Sequence, residues 1–206
     1  MTACGLVAAA AANARAAVLL ESWENSANGW VTTTEQPTYS IAGFSTSAGV
    51  TDGSFSMIIS GTAAPSYGQL FRGPQTTDVT NALANAQSVS VDVLADASFG
   101  FQQWSLILNG GGLGYTSVDG FSFSQSPTLG TQSTLTWNLT PAMRATLAAN
   151  PTVATEIIFQ IGGGAGGTMH VDNLRFTAVP EPATAGWLGI AATAWILRRR
   201  RLWIRI

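Results

Sequence analysis

Hydrophobic and polar residues alternate over short runs through the middle of the chain. A period of two places successive side chains on opposite faces of a strand, so each run predicts a β-strand with one buried face. The alternation is clearest at 134–139, where Leu135, Trp137 and Leu139 are separated by polar residues. The predicted strands cover residues 55–59, 88–94, 103–108, 134–139, 156–161 and 169–176.

Some of the segments that connect these runs are rich in glycine. Those at 109–114 and 162–167 predict turns or loops between strands. One helix is predicted, over 141–149, because Thr140 can cap its first turn and Pro141 suits the first helical position. Several short strands with almost no helix indicate an all-β fold, an antiparallel β-sandwich, in one domain over 17–178.

An apolar, alanine-rich run covers residues 3–20. Residues 12–14 fit the A-x-A pattern of a signal-peptidase site, and 14–16 offer an alternative. We therefore expect residues 1–16 to form the helix of a signal peptide that signal peptidase removes. The run lacks a basic n-region, which suggests a natural start upstream of Met1. A buried alanine-rich helix is the alternative interpretation.

A second apolar segment precedes the C-terminal residues. Residues 183–197 are uncharged and are followed by Arg198, Arg199, Arg200 and Arg201. The segment is shorter than the about 20 residues that usually cross a bilayer, but apolar residues at 202–204 and snorkelling arginines can extend it. It predicts a transmembrane helix over 183–197, with the arginines in the cytoplasm and the domain outside.

The tail, residues 179–206, begins with Val179, Pro180, Glu181 and Pro182. The motif is followed by the short apolar helix and then by the arginine cluster. This order resembles the PEP-CTERM sorting signal of Gram-negative bacteria. The resemblance implies an exosortase, a membrane cysteine transpeptidase, that cleaves near Pro-Glu-Pro. It implies an inner-membrane anchor before processing and a place at the cell surface or in the exopolysaccharide matrix afterwards. An ordinary single-pass anchor is the alternative.

Charge is scarce and unevenly distributed. Only 10% of residues are charged, lysine is absent, and the net charge is −2. Residues 21–175 contain ten acidic residues against three arginines, a balance of −7. Because this acidic body has no basic patch, nucleic acid is not an expected partner. The chain has one cysteine, Cys4, and one histidine, His170, too few for a disulfide framework or a histidine-built metal site.

Three short motifs stand near the two ends of the body. They are Trp23-Glu24 with Gly29-Trp30, the segment 50–57, and the segment 171–176. They resemble elements of jelly-roll carbohydrate-binding-type domains. The resemblance implies a jelly-roll β-sandwich in which the first and last strands lie side by side.

The same resemblance implies a structural metal ion. In similar domains a calcium ion ties the first and last strands together through an early Glu, a late Asp and backbone carbonyls. Carried over by motif, Glu24 and Asp172 are the expected ligands, and Asp52 is a weaker third. Calcium takes six to eight oxygen ligands, which carboxylates and carbonyls supply.

A sugar-binding surface needs an exposed aromatic ring that packs on the face of a sugar, with hydrogen-bonding side chains beside it. Trp104, Gln103 and Tyr115 are the candidates. Large aromatic residues also dominate protein cores. The core is therefore the expected place for Trp23, Trp30 and Trp137, and it is the alternative for Trp104.

No catalytic residues are predicted. The sequence lacks the G-x-S-x-G and H-E-x-x-H motifs. Asp92, Asp96 and Asp119 are possible acid–base carboxylates, but their spacing does not pair them. We therefore expect a non-enzymatic, exported surface or matrix protein that acts by adhesion or matrix association, with extracellular polysaccharide as a possible partner. A glycan-binding module with a defined ligand is the first alternative, and a polysaccharide hydrolase is the second.

Overall fold

The computed structural model describes residues 18–32, 39–61, 66–120, 123–163 and 166–178. These residues fall within one unit, Ala16–Ala178. The predicted signal peptide at 1–16 and the predicted sorting tail at 179–206 lie outside the described residues, as do their helices. Within the described ranges, no helix combines the length and the apolar character needed to cross a membrane.

The described residues contain strands from all six predicted runs, together with five further strands, two α-helices and a 3₁₀ turn at Ala97–Phe99. The elements in chain order are β1 (Val18–Glu21), β2 (Val31–Thr32), β3 (Tyr39–Ser45), β4 (Ser56–Gly61), β5 (Ser66–Arg72), α1 (Thr77–Ala84), β6 (Ala86–Ala95), β7 (Gln102–Gly110), β8 (Tyr115–Ser117), β9 (Gln132–Asn138), α2 (Pro141–Ala149), β10 (Thr155–Gly163) and β11 (Gly167–Ala178).

The strands form two antiparallel sheets. The six-stranded sheet has the order β3-β4-β11-β6-β9, with β1 also paired to β11, and the five-stranded sheet has the order β2-β5-β10-β7-β8. From β4 onward the strands pair as a folded ribbon, β4 with β11, β5 with β10, β6 with β9 and β7 with β8. This nested pairing is the jelly-roll arrangement. The prediction of an all-β, antiparallel jelly-roll sandwich is confirmed.

Strand β6 shows how the alternating pattern builds the sandwich. Val89, Val91 and Val93 are fully buried in the core between the sheets. Ser90 and Asp92 alternate with them and point to the outer face of the six-stranded sheet. Both polar side chains are nonetheless buried: Asp92 accepts the Thr51 hydroxyl at 2.8 Å, and the Ser90 hydroxyl lies 2.9 Å from that of Thr136.

Aromatic side chains occupy much of the core. The ring of Phe159 lies 5.9 Å from Trp30, 5.7 Å from Trp104 and 5.5 Å from Trp137, measured between centroids. Trp23 packs edge-on against Trp30 at 5.4 Å. The core positions predicted for Trp23, Trp30 and Trp137 are confirmed.

Helix α2 begins and ends at the predicted residues, and the Thr140 hydroxyl accepts the N–H of Met143 at 3.2 Å. The sequence predicts a single helix, and helix α1 was therefore not predicted. Its sequence is rich in Thr and Asn, which have low helix propensity. The Thr76 hydroxyl caps α1 by accepting the N–H of Val79 at 3.2 Å, and burial of Val79 and Leu83 compensates for the weak local preference.

Candidate functional site

The outer face of the five-stranded sheet carries a row of polar side chains. In β10, Ile157 and Phe159 belong to the core, so Glu156 and Ile158 point away from it. In β5, Phe71 belongs to the core, and the next residue therefore projects outward as well. Consecutive residues of these strands therefore point alternately into the core and to the outer face of the sheet.

Strand register brings five of the outward side chains onto one surface, which we call the polar face. Glu156 of β10 lies opposite Asn109 of β7, and Asn109 lies opposite Tyr115 of β8. Arg72 of β5 contributes from the other side of β10. Gln103 lies six residues before Asn109 on β7 and so has the same orientation. The polar face thus consists of Arg72, Gln103, Asn109, Tyr115 and Glu156.

An ion pair organises one end of the polar face. Arg72 donates from Nε to Oε1 of Glu156 and from Nη2 to Oε2, both at 2.7 Å. Asn109 Nδ2 donates to the same Oε2 at 3.1 Å. Burial favours a higher pKa for Glu156, but the hydrogen bonds from Arg72 and Asn109 and the charge of Arg72 outweigh it, and the pKa lies below its ordinary value. The carboxylate is therefore ionised and fixed in orientation near neutral pH.

Tyr115 gives the polar face an exposed aromatic ring. It is 47% exposed, although it stands in a strand next to the Arg72–Glu156 pair. Partial burial raises the pKa of its hydroxyl; the charge of Arg72 opposes this rise and that of Glu156 adds to it. The hydroxyl is consequently neutral at physiological pH and can both donate and accept a hydrogen bond.

Two buried isoleucines lie on the same side of the sheet as these polar groups. Ile107 and Ile158 lie opposite each other on β7 and β10 and point to the same side as the polar face. Both are almost completely buried, yet neither belongs to the core between the sheets. They form a covered apolar layer, so the accessible part of the polar face is the exposed Tyr115 ring with preoriented hydrogen-bonding groups beside it.

The structure places two of the three predicted ligand-binding residues, Gln103 and Tyr115, on the polar face. The third prediction, that Trp104 offers a ring to a ligand, is wrong. Trp104 is 0% exposed and points into the core, because it follows Gln103 in β7 and takes the opposite side of the sheet. Its Nε1 donates to Oε1 of Gln102, also buried, at 3.2 Å. The core alternative is the correct one.

The residues predicted to bind calcium converge on the turn at 51–54. Oδ2 of Asp172 accepts the backbone N–H of Thr51 at 2.6 Å and that of Asp52 at 2.8 Å. Glu24 accepts the N–H of Ser54 with Oε1 at 3.0 Å and with Oε2 at 3.1 Å. Burial raises the pKa of Asp172, although these N–H donors act in the opposite direction.

In this structure both carboxylates are bonded mainly by backbone N–H groups, which occupy oxygens that a calcium ion would use as ligands. Across the described residues, no three His, Cys, Asp or Glu side chains form a group that could hold a metal ion. Calcium binding through Glu24, Asp52 and Asp172 stays a prediction.

A carboxylate pair that the sequence did not predict lies on the outer face of the six-stranded sheet. Asp92 and Asp172 are cross-strand neighbours on β6 and β11. The Thr51 hydroxyl lies 2.8 Å from Oδ2 of Asp92 and 3.2 Å from Oδ2 of Asp172. Arg175 Nη1 donates to Asp92 at 3.0 Å. Through these hydrogen bonds the pair holds the 51–54 turn. Because both carboxylates are buried, they do not line an open cleft.

The two carboxyl groups have opposite pKa directions. Burial alone favours a higher pKa for Asp92, but hydrogen bonds from Thr134, Arg175 and Thr51 lower it overall. For Asp172, burial dominates and the pKa is raised. No local signal in the sequence could have paired these residues, because they lie on strands far apart in the chain.

No protein-family model matches the sequence, and no curated protein matches it. Several solved structures have a fold similar to that of this chain. One is a carbohydrate-binding module of the β-sandwich superfamily, with a TM-score of 0.50 and 10% identity over 74% of this chain and 58% of the other. The chain thus spans little more than half of that structure.

A second similar structure is the family 11 carbohydrate-binding module of Clostridium thermocellum in complex with a β-1,3-1,4-mixed-linked tetrasaccharide. It has a TM-score of 0.50 and 15% identity over 81% of this chain and 98% of the other. At such low identities the similarity establishes the β-sandwich fold and leaves the ligand of this chain open.

Proposed function

We propose that the domain binds extracellular polysaccharide through the polar face and has no catalytic activity. The observation that carries this proposal is the exposed Tyr115 ring beside the fixed Arg72–Glu156–Asn109 hydrogen-bond set. An aromatic ring packs against the C–H face of a sugar, and side chains held in place bind its hydroxyl groups with little loss of entropy. The fold is that of carbohydrate-binding modules, which supports the same proposal.

The arrangement of carboxylates favours binding over hydrolysis. Glycosidases use two carboxyl groups on either side of the scissile bond. The polar face, as defined, has one carboxylate, and Arg72 holds it in a bidentate pair. The Asp92–Asp172 pair is buried beneath the 51–54 turn. A non-catalytic module is therefore the function that fits these side chains best.

The experiment that tests the proposal compares two glutamines on opposite sheets. Gln103 lies on the polar face, and Gln132 is exposed on β9 of the six-stranded sheet. The full chain is run through gels containing soluble polysaccharides, including the exopolysaccharide of its source organism. We expect retention of the wild type, a severalfold weaker retention of Gln103→Ala, and wild-type retention of Gln132→Ala. Equal behaviour of the two variants, or no retention on any polysaccharide, would contradict the proposal.

We further propose that the protein is exported and reaches the cell surface or the exopolysaccharide matrix. Support comes from the sequence, namely the signal-peptide pattern at 1–16 and the Pro-Glu-Pro, apolar and arginine segments at 179–201. Signal peptidase and an exosortase would be its processing partners. Mass spectrometry of surface and medium fractions is expected to find chains that end near Pro180–Pro182. Membrane-bound chains that retain Arg198–Arg201 would instead identify a plain anchor.

A further inference from the structure

A pocket of about 170 Å³ lies beside α1, on the opposite side of β10 from the polar face. Ile157 lines it, and the adjacent Ile158 points to the other side of the sheet. Leu20, Trp30 and Val79 add apolar walls. The pocket is therefore distinct from the proposed polysaccharide surface.

The walls of the pocket are rigid. The Trp30 ring is held by Phe71 at 4.5 Å, by a nearly parallel Phe159 at 5.9 Å, and by Trp23 at 5.4 Å. The backbone at 73–76 is fixed to β10, because Gly73 donates to the carbonyl of Ile157 at 2.9 Å. Side chains that are packed on several sides cannot move to fill the space, so the pocket is preformed.

Two carboxylates stand at the mouth of this apolar pocket. Asp78 is exposed and Glu21 is half-buried, whereas Trp30, Val79 and Ile157 are buried. Solvent exposure thus decreases from the acidic side chains at the mouth of the pocket to the apolar side chains at its base. None of the described residues that line the pocket is basic.

Both carboxylates have hydrogen-bonding capacity left for a ligand. Glu21 accepts the N–H of Trp23 at 2.9 Å and Nδ2 of Asn28 at 2.8 Å, in both cases with Oε1. These bonds orient the group and leave Oε2 without a partner in the described part of the chain. Asp78 lies in the first turn of α1, where the helix dipole stabilises a negative charge, and it too has no partner among the described residues.

We propose that this pocket binds a small organic ammonium ion, in which a six-membered ring or a hydrocarbon of similar size carries the charged group. An apolar cavity of about 150 Å³ accommodates a benzene ring, so the volume suits such a group. The ring enters between Trp30, Val79 and Ile157 and is removed from water. The ammonium group remains at the mouth and donates to Glu21 and Asp78, as charge-assisted hydrogen bonds require.

The test uses three probes of equal ring size and different charge. The full chain, labelled with ¹⁵N, is titrated at neutral pH and low salt with benzylammonium, benzyl alcohol and benzoate. We expect benzylammonium to shift the amide signals of Gly73 and Val79 and the indole signal of Trp30. Its Kd is expected to be at least tenfold lower than that of benzyl alcohol, and benzoate is expected to bind most weakly. Equal affinity for the three probes, or the absence of shifts at these residues, would overturn the proposal.

A charge variant tests the role assigned to the mouth. Asp78→Asn removes one negative charge at an exposed position and leaves the apolar walls unchanged. It is expected to weaken benzylammonium binding severalfold and to leave benzyl alcohol binding unaltered. Asp119→Asn, the same change at an exposed position outside the pocket, is the control and should behave as the wild type. If Asp78→Asn and Asp119→Asn bind benzylammonium equally, Asp78 does not contact the ligand and the proposed mode is wrong. Tyr115 and Gln103 variants should leave this binding intact even if polysaccharide binding fails.

Discussion

The Asp172→Asn variant is expected to unfold with a free energy about 3 kcal/mol below that of the wild type. Asp172 is 0% exposed and accepts the N–H groups of Thr51, Asp52 and Asn173. These donors surround both carboxylate oxygens. An asparagine of the same shape must place its NH₂ group against one set of donors, so at least one buried N–H group loses its acceptor. The 51–54 turn would then lose its attachment to β11.

Thermal unfolding of the full chain measures this effect. A loss of about 3 kcal/mol corresponds to a decrease in Tm of roughly 6–12 °C for a chain of this size. Asp78→Asn, the same change at an exposed position in the first turn of α1, is the matched control and should cost at most about 1 kcal/mol through the helix dipole. A decrease for Asp172→Asn no larger than that of the control would show that the turn is not held by this carboxylate.

The same thermal unfolding measurements test whether the predicted calcium site binds calcium. If Glu24 and Asp172 bind calcium, millimolar calcium should raise the Tm of the wild type and have less effect on Asp172→Asn. If these carboxylates bind no calcium, calcium should leave both values unchanged. The second result would remove the calcium prediction without affecting the role of Asp172 in the turn.

The Tyr115→Ala variant is expected to bind polysaccharide at least about tenfold more weakly than the wild type, which corresponds to about 1.4 kcal/mol. Removal of the ring takes away the apolar contact with the sugar and the hydroxyl group together. Because Tyr115 is 47% exposed, this change should leave the core intact. Affinity electrophoresis of the full chain gives the ratio of dissociation constants directly.

Tyr115→Phe separates the two contributions of the side chain. It keeps the ring and is expected to retain most of the affinity, since stacking of the ring on the sugar contributes more than the hydroxyl group does. A Tyr115→Ala variant with unchanged affinity would exclude this ring from the binding surface. A Tyr115→Phe variant as weak as Tyr115→Ala would instead assign the binding to the hydroxyl group.

The parts of the fold that the sequence predicts are those with a local pattern. Strand β9 alternates strictly, and its buried residues are Leu135 and Trp137. Helix α2 carries its own capping residue and an initial proline, so its limits can be read from a few neighbouring residues. Helix α1 has a capping Thr76 as well, but it lacks the initial proline, several of its residues have low helix propensity, and burial of Val79 and Leu83 stabilises it.

The orientation of Trp104 was not predictable, because β7 has apolar residues on both faces. Leu106, Ile107 and Leu108 follow one another without a polar residue between them. Only the register with β10 shows that Trp104 points into the core and Gln103 away from it. An apolar run of this kind fixes the presence of a strand but not which side of it faces the core.

The candidate site itself depends on long-range pairing. Arg72 and Glu156 are 84 residues apart in the chain and meet because β5 and β10 are neighbours. Asp92 and Asp172 similarly meet through the pairing of β6 and β11. Gln103 and Tyr115 can be identified from the sequence by residue type, but their common face follows from strand register, which a single sequence does not contain.

Mapping the bound surface by ¹⁵N NMR shows whether the polar face binds polysaccharide. The full chain is titrated with oligosaccharides cut from the polysaccharide that retains it most strongly in gels. We expect shifts at Gln103, Asn109 and Tyr115 and at the side chain of Arg72, with Thr134 and Thr136 on the opposite sheet unchanged. Shifts confined to the six-stranded sheet or to the helices, with none at these four residues, would contradict the claim.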